Sequence, residues 1–395
     1  MRVALTFRLY MMRYGVAVLA TSYTHHGRSS FAEDVAKEVK AFLTRKTEVP
    51  NEHVGAFREY LLKKPGSPRY SPWRRAFQNG QSVPVEHQDL LLSDQRLPSS
   101  VGALTQDYFD DALGLAHTLK LVDKRQNLLL ARGRLSLSTG WVKDDPFVIG
   151  DRDALFLGLW LLDVDCDWVW AFLSQLPDDL DFEISVGNRV QLLLESWRYL
   201  LTARGVRPDQ ATAMVRTRLN ELLKITERNV RDKLNLGQPW SWFLVPRLEL
   251  LVDAGILSKR ERHGLSGYAL TAVGQRMRSL CLASEDGGAL IAHYFSCHDS
   301  QNRQIADEIK WEAIRERLEA ETGTLATSVG YMPIFETASA LCVAQFTERT
   351  DTSTPLWEIE GVRASLLVES KAPESKVRLG IDRQGHVYAF RIKDE

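Results

Sequence analysis

A lysine and several carboxylates near the C-terminus are the residues of this sequence best suited to catalysis. Glu369 and Lys371 follow a short apolar run, and Glu358 or Glu360 supplies a further acid upstream. Residues 356–369 read as a strand, which would carry Glu369 at its end. Carboxylates in this arrangement bind magnesium, and a neighbouring lysine stabilises charge or orients water. Metal-dependent hydrolysis is therefore one chemistry to weigh.

This E-x-K pattern resembles the core of PD-(D/E)xK nucleases, whose carboxylates hold magnesium. Two features differ from that core. No Pro-Asp precedes the upstream acid, and Lys371 is followed by a Pro-containing turn and a hairpin instead of a helix. A charged strand end at the surface is the alternative. We therefore expect a protein without catalytic residues and keep the nuclease as an alternative function.

A second chemistry is phosphate neutralisation combined with base stacking. Between residues 63 and 81 basic and aromatic side chains alternate, and prolines interrupt regular structure. The bases are Lys63, Lys64, Arg69, Arg74 and Arg75, and the aromatic residues are Tyr70, Trp73 and Phe77. This combination predicts contact with nucleic acid. The alternative is a solvated loop held by its aromatic side chains.

Two groups of ligand-type residues bear on metal binding. They are the triplet Asp163, Asp165 and Asp167, and the set Cys281, His293, Cys297 and His298. An EF-hand loop needs Gly and Glu where this sequence has Trp168 and Ser174. The second group lacks the paired CxxC or HxxxH spacing of structural zinc sites. We expect neither a metal ion nor a cofactor.

Sequence motifs of other catalytic classes are absent. The chain has no G-x-x-x-x-G-K-[ST], no G-x-S-x-G and no G-x-G-x-x-G. Their absence disfavours a P-loop NTPase, a hydrolase with a nucleophile elbow and a dinucleotide-dependent enzyme.

The stretch from Val245 to Met277 carries the strongest fold signal. A short amphipathic helix ends at Ala254-Gly255, a basic loop follows, a Tyr-Ala-Leu-Thr strand returns, and a helix starts at Thr271. This order resembles a winged helix, in which one helix enters the major groove and the wing contacts the backbone. The resemblance implies DNA contact by Arg247 on the helix and by the wing residues Lys259, Arg260, Arg262 and His263.

Charge indicates how such a module would bind. Arg247 shares the exposed side of its helix with Glu249 and Asp253, so few groups could read base edges. The wing is basic, which favours weakly sequence-specific binding through phosphates. Docking of another protein is the alternative use of the fold.

Residues 101–138 predict a second winged helix. A helix from about Thr105 breaks near Leu121-Val122, and two apolar runs separated by a polar turn follow. No glycine ends this helix, and its aspartates would repel phosphate. We expect this second module to serve packing.

The remaining patterns are mainly helical. Residues 153–176 predict a buried helical hairpin interrupted near Asp163, and a helix follows from Arg189 to Thr202. Two helices follow residue 302, and strands are predicted at 356–369, 376–382 and 386–393. The predicted domains are an N-terminal α/β region (1–100), a winged helix (101–143), a helical linker domain (144–207), a winged helix (208–283) and a C-terminal α+β domain (284–395).

Composition sets the outer bounds. The chain has 395 residues, of which 44% are hydrophobic and 26% charged, as in globular proteins with several domains. The net charge of −1 means that any nucleic-acid surface is a local patch. Four separated cysteines favour a cytoplasmic location, and the apolar N-terminal run is too short to span a bilayer.

Together these observations predict a multidomain, mainly helical α+β protein in the cytoplasm. We expect a non-catalytic, DNA-associated subunit of a larger DNA-processing complex of the prokaryotic restriction or anti-phage kind. Its partners would be DNA and either another protein or a second copy of the chain, with no membrane. A homodimeric transcription regulator is the nearest alternative.

Overall fold

The computed structural model describes residues 116–123, 130–138, 151–177, 182–185, 188–217, 247–248, 250–262, 265–325, 331–348, 354–373, 375, 377–384 and 386–392. The chain divides into two compact units, Met1–Asp153 and Ala154–Glu395. The basic aromatic stretch at 63–81, with Lys63, Lys64, Arg69, Arg74 and Arg75, lies outside the described residues, and so does His263.

In the first unit residues 116–118 are helical and lead into a turn, and the next described helix is α1 (Ala131–Ser138). The helix breaks close to the predicted position, because Lys120 has a φ of 59°. At its C-terminal end this segment passes from Leu130 directly into α1. Leu119, Leu121 and Val122 are fully buried around this turn.

The second unit begins on α2 (Asp151–Ser174), which is apolar on most of its faces. Asp151 and Asp153 lie in its first turn, where the helix dipole favours acidic residues. Asp165 leaves the helical conformation, with φ −143° and ψ 29°. The predicted interruption is therefore present two residues after Asp163, but as a kink in one helix and not as a hairpin.

Helix α3 (Arg189–Ala203) confirms the predicted helix from Arg189 to Thr202. It ends at Gly205, whose φ of 84° lies in the left-handed region that glycine adopts most easily. Residues 208–217 are again helical.

The predicted return strand before Thr271 is confirmed, whereas the predicted basic loop before it is also a strand. Strand β1 (Leu257–Arg262) pairs antiparallel with β2 (Leu265–Leu270), and α4 (Ala272–Ala283) starts after the N-cap residue Thr271. Two short helices follow, α5 (Gly288–Ala292) and α6 (Tyr294–His298).

The C-terminal part combines three helices with a small sheet. Helix α7 (Trp311–Leu325) is followed by β3 (Met332–Pro333), α8 (Ile334–Glu348) and α9 (Ile359–Ser370). Strands β4 (Val377–Ile381) and β5 (Val387–Ile392) form the predicted hairpin, and the sheet order is β3-β5-β4. The described fold is thus mainly helical with small antiparallel sheets, which makes it α+β.

The predicted strand at 356–369 is wrong. Its buried residues Ile359, Val362 and Leu366 recur at helical spacing, and the segment is α9. Val368, an inward position of a strand, is instead 72% exposed. The β-branched residues suggested a strand locally, but burial of one helical face prevails.

Helix α2 anchors the helices that follow the hairpin. The indole of Trp170 donates to the Cys281 carbonyl at 3.0 Å, and the Tyr294 hydroxyl donates to the Leu155 carbonyl at 3.0 Å. Gly158 permits this approach, because a Cβ there would lie 2.1 Å from the Tyr294 hydroxyl. In the part of the chain that the structure describes, no helix is long and apolar enough to cross a membrane.

Candidate nucleic-acid interface

The turn before β1 sets the direction of the hairpin. Residues 250–253 are helical, and Gly255 has a φ of 74°. The amide of Ile256 donates to the Leu251 carbonyl at 2.9 Å, and the amide of Gly255 donates to the Val252 carbonyl at 3.0 Å. This pair of hydrogen bonds is a Schellman motif, which ends the helix and sends the chain into β1.

The far end of the hairpin is tied to the same turn. Thr271 donates its amide to the Ile256 carbonyl at 3.1 Å, and its hydroxyl accepts from the Gly274 amide at 3.1 Å. Gly274 is packed against that carbonyl, because a Cβ there would lie 2.2 Å from the Ile256 oxygen. The hairpin is therefore held at its base by backbone contacts on both sides.

An extended segment from before α3 adds to the hairpin. Ile184 and Tyr268 exchange two backbone hydrogen bonds, with N–O distances of 2.7 and 3.2 Å, in an antiparallel bridge. Both residues are almost completely buried. The hairpin thus has a third extended segment beside β2, contributed by residues that precede the predicted module boundary at 208.

Three of the predicted wing residues share one strand. Lys259, Arg260 and Arg262 lie in β1, opposite Tyr268, Gly267 and Leu265 respectively. The predicted basic loop is thus a strand of the hairpin itself. Six consecutive residues of this strand bring three bases together in the sequence.

Arg247 does not lie where the sequence predicts. It is 6% exposed, its Nε is 3.4 Å from the Asp165 carboxylate, and its guanidinium stacks 5.1 Å from the ring centre of Trp168. Burial lowers the pKa of Arg247 and raises the pKa of Asp165, while their mutual attraction opposes both shifts. The expectation of an exposed Arg247 is wrong, because this side chain packs against α2 at its kink.

Asp253, the acid predicted beside Arg247 on the exposed side, is also buried. The sequence did contain a signal for the Arg247 contact, since an acid within an apolar helix needs a cationic partner. That signal is Asp165, which the sequence also groups with Asp163 and Asp167 as a possible metal triplet. Asp167 instead forms an exposed ion pair with Arg204.

The residues of the nuclease-like pattern do not form one carboxylate cluster. Glu358 is buried and accepts hydrogen bonds from the Phe295 amide at 3.1 Å and the Ser296 amide at 2.6 Å. Glu360 pairs with Arg363 at 2.6 Å. Glu369 lies in the last turn of α9 and not at a strand end. Among the described residues, no three His, Cys, Asp or Glu side chains are placed to hold a metal ion.

Of the four residues weighed for zinc, Cys281 and Cys297 are buried, His298 is partly buried and His293 is exposed. Burial is the largest cause that raises the pKa of the Cys281 and Cys297 thiols to about 12. Burial also lowers the pKa of His298 to about 4, and its ring packs 4.5 Å from that of Tyr294. At neutral pH the two thiols and the His298 imidazole are therefore uncharged.

No protein-family model, curated protein or solved structure matches this chain. The geometry described above is therefore the basis on which a function can be argued.

Proposed function

We propose that this chain is a non-catalytic, nucleic-acid-associated subunit that binds the DNA backbone through β1. The observation that carries this proposal is the placement of Lys259, Arg260 and Arg262 in one strand of a hairpin set between two helices. Three basic residues close together in the sequence can neutralise phosphates without reading sequence.

The hairpin supports assignment to the winged-helix class. A winged helix has a two-stranded wing and a third strand, contributed from before the helix pair, beside the returning strand. Here the order is the bridge at Ile184, then β2, then β1, and α4 follows. The short helix that ends at Gly255 leads directly into the wing.

The burial of Arg247 favours backbone binding over base readout. A regulator that recognises a palindrome needs side chains that reach base edges from the helix in the groove. Arg247 is the basic residue described at 247–253, and it is paired with Asp165. We therefore favour a subunit with weak, length-dependent DNA binding, within a larger DNA-processing complex of the restriction or anti-phage kind, over a transcription regulator.

The test is binding of a fluorescent random-sequence duplex, measured by anisotropy over a series of salt concentrations. A variant with Lys259, Arg260 and Arg262 changed to Ala should bind more weakly and with a flatter salt dependence. Each phosphate contact contributes about 0.9 to the log–log slope, so three lost contacts lower it by up to about 2.7.

The matched control replaces three bases elsewhere in the second unit, namely Lys310, Arg315 and Lys371, which are exposed. Both variants lose the same formal charge, so a general electrostatic effect would weaken duplex binding by both variants equally. The proposal would be contradicted if both variants lost duplex affinity equally. It would also be contradicted if the wild type did not bind the duplex even at low salt. A wild type that prefers one palindrome strongly over random sequence would favour the regulator.

A further inference from the structure

The sheet β3-β5-β4 has two different faces. Helices α8 and α9 contact one face, where Met332 and Phe390 pair across strands and are fully buried. Directly opposite residues share a face in an antiparallel pair. Arg378 and Arg391, which also pair directly, occupy the other face.

Two tyrosines lie on this second face. A Cβ on Gly380 would be 3.2 Å from the ring of Tyr388 and 3.3 Å from the ring of Tyr331. Both rings therefore cover the same glycine. A register shift at Gly380/Ile381 brings Tyr388 to this side, and its side chain is 57% exposed. The two rings form an aromatic platform at the surface.

The arginines beside this platform are not neutralised. Arg391 stacks 5.5 Å from the ring centre of Tyr331, and its buried Nε has no hydrogen-bond partner. Within the described residues, neither Arg391 nor Arg378 has an ion pair. Like charges directly opposite each other destabilise a sheet, so this pair favours an anion. The acidic residue in the hairpin turn, Asp382, does not pair with these arginines. Its carboxylate accepts hydrogen bonds from the backbone amides of Gln384 and His386.

We infer that this face, defined by Tyr331, Tyr388, Arg378 and Arg391, binds single-stranded nucleic acid. Bases stack on the tyrosine rings, and phosphates lie against the two arginines. A duplex keeps its bases stacked inside and cannot use the rings, whereas an acidic peptide would use the arginines but gain no base stacking on the rings. The site is separate from β1, so it does not depend on the function proposed for the hairpin.

The test uses the full chain and a fluorescein-labelled thymidine oligonucleotide of about 20 nucleotides, longer than the roughly 4–16 nucleotides that a single OB-fold covers. Tyr388→Ala should weaken binding about 5-fold or more, whereas Tyr388→Phe, which keeps the ring, should bind as the wild type does. Changing both Arg378 and Arg391 to Ala should lower the log–log salt slope by about 1.4.

Controls separate this site from general charge and from the hairpin. Changing Lys310 and Arg315 to Ala removes the same formal charge and should leave the slope for the single strand unchanged. The β1 triple variant should retain single-strand binding, and Tyr388→Ala should retain duplex binding. Thermal melting of each variant checks that it is folded.

Three results would overturn the inference. The first is no binding of the single strand by the wild type at low salt. The second is equal behaviour of Tyr388→Ala and Tyr388→Phe. The third is displacement of the oligonucleotide by polyglutamate with equal efficiency from wild type and Tyr388→Ala, which would make the face a general anion site without stacking.

Discussion

Two turns of this molecule, one in each unit, have the same backbone and different side chains. At Lys120 and at Gly255 a helix ends in a left-handed residue, and the next amide reaches back to close a Schellman motif, from Leu121 to Ala116 and from Ile256 to Leu251. The chain then returns to pair with that same residue. Leu130 donates to the Leu121 carbonyl at 2.9 Å, and Thr271 donates to the Ile256 carbonyl at 3.1 Å.

A helix starts immediately after each return, and its third residue is a glycine, Gly133 in α1 and Gly274 in α4. The segments between turn and return differ in length, 122–129 in the first unit and 257–270 in the second. Helix, turn, return and helix thus form one structural motif that occurs twice among the described residues, and the longer return carries the basic hairpin.

The largest expected effect is at the glycine of the following helix. Gly274→Ala places a Cβ 2.2 Å from the Ile256 carbonyl oxygen, and overpacking of this kind costs about 2–3 kcal/mol. If the motif is the same in both units, Gly133→Ala should lower the free energy of unfolding by a comparable amount. Urea unfolding of both variants gives the free energies. If Gly133→Ala leaves the free energy of unfolding unchanged, the first turn does not bring the backbone this close to the glycine.

The sequence predicted this motif unequally in its two copies. At Gly255 the glycine, the Tyr-Ala-Leu-Thr return and the Thr271 cap are all local signals, and the structure follows them closely. The first copy lacks that glycine, so the sequence predicts a looser match, although Lys120 adopts the same φ region. A tertiary environment can hold a lysine there, and that environment is not visible in a local pattern.

The candidate site shows the same limit. The basic residues of β1 follow from composition and spacing, but the burial of Arg247 depends on a kink at Asp165, 82 residues away. The β-branched residues of 356–369 predict a strand, whereas the contact of α9 with α8 stabilises a helix. Long-range packing supplied what the local sequence could not.

The second prediction concerns how the two turns are closed by side chains. In the first, the buried Arg132 donates from Nη1 to the Leu119 carbonyl at 3.1 Å. In the second, the Thr271 hydroxyl lies 2.7 Å from the Gly255 carbonyl. Arg132→Met removes a charge-assisted bond and should cost about 2 kcal/mol, whereas Thr271→Val should cost about 1 kcal/mol.

Hydrogen exchange in peptides that span each turn measures these losses locally. Thr212→Val is the matched control, because the Thr212 hydroxyl bonds the Pro208 carbonyl on an exposed helix surface. A Thr271→Val loss no larger than that of Thr212→Val would mean that the cap does not hold the hairpin.

Substitution of the two residues with a left-handed backbone conformation, Gly255 and Lys120, gives the third prediction. No atom lies within 4 Å of a Cβ added at Gly255, so Gly255→Ala tests the backbone conformation alone. It should destabilise the protein by about 1 kcal/mol. Lys120→Gly should act in the opposite direction but by less, about 0.5 kcal/mol, because glycine also gains freedom in the unfolded chain. Thermal melting distinguishes the signs, and destabilisation by Lys120→Gly would show that the lysine side chain stabilises its turn.

The smallest net effect is expected from pH, which perturbs the helices after the second turn without changing a residue of either turn. Burial raises the pKa of Glu358 from 4.5 to about 7, so its contribution to stability is complete below pH 4.5 and is lost as the pH rises through 7. Burial lowers the pKa of His298 from 6.5 to about 4, so its contribution is present above pH 6.5 and is lost on acidification towards pH 4.

The two contributions oppose each other between about pH 4.5 and 6.5, and the wild type should change little there. A variant that lacks one of the two groups leaves the pH-dependent contribution of the other group unopposed. Glu358→Gln should become markedly less stable on acidification, because the His298 contribution then acts alone. His298→Phe, which keeps a ring against Tyr294, should lose stability as the pH rises from 4.5 to 7. Urea midpoints measured across this range test both slopes, and parallel curves for the two variants would show that these groups do not govern the stability of the second unit.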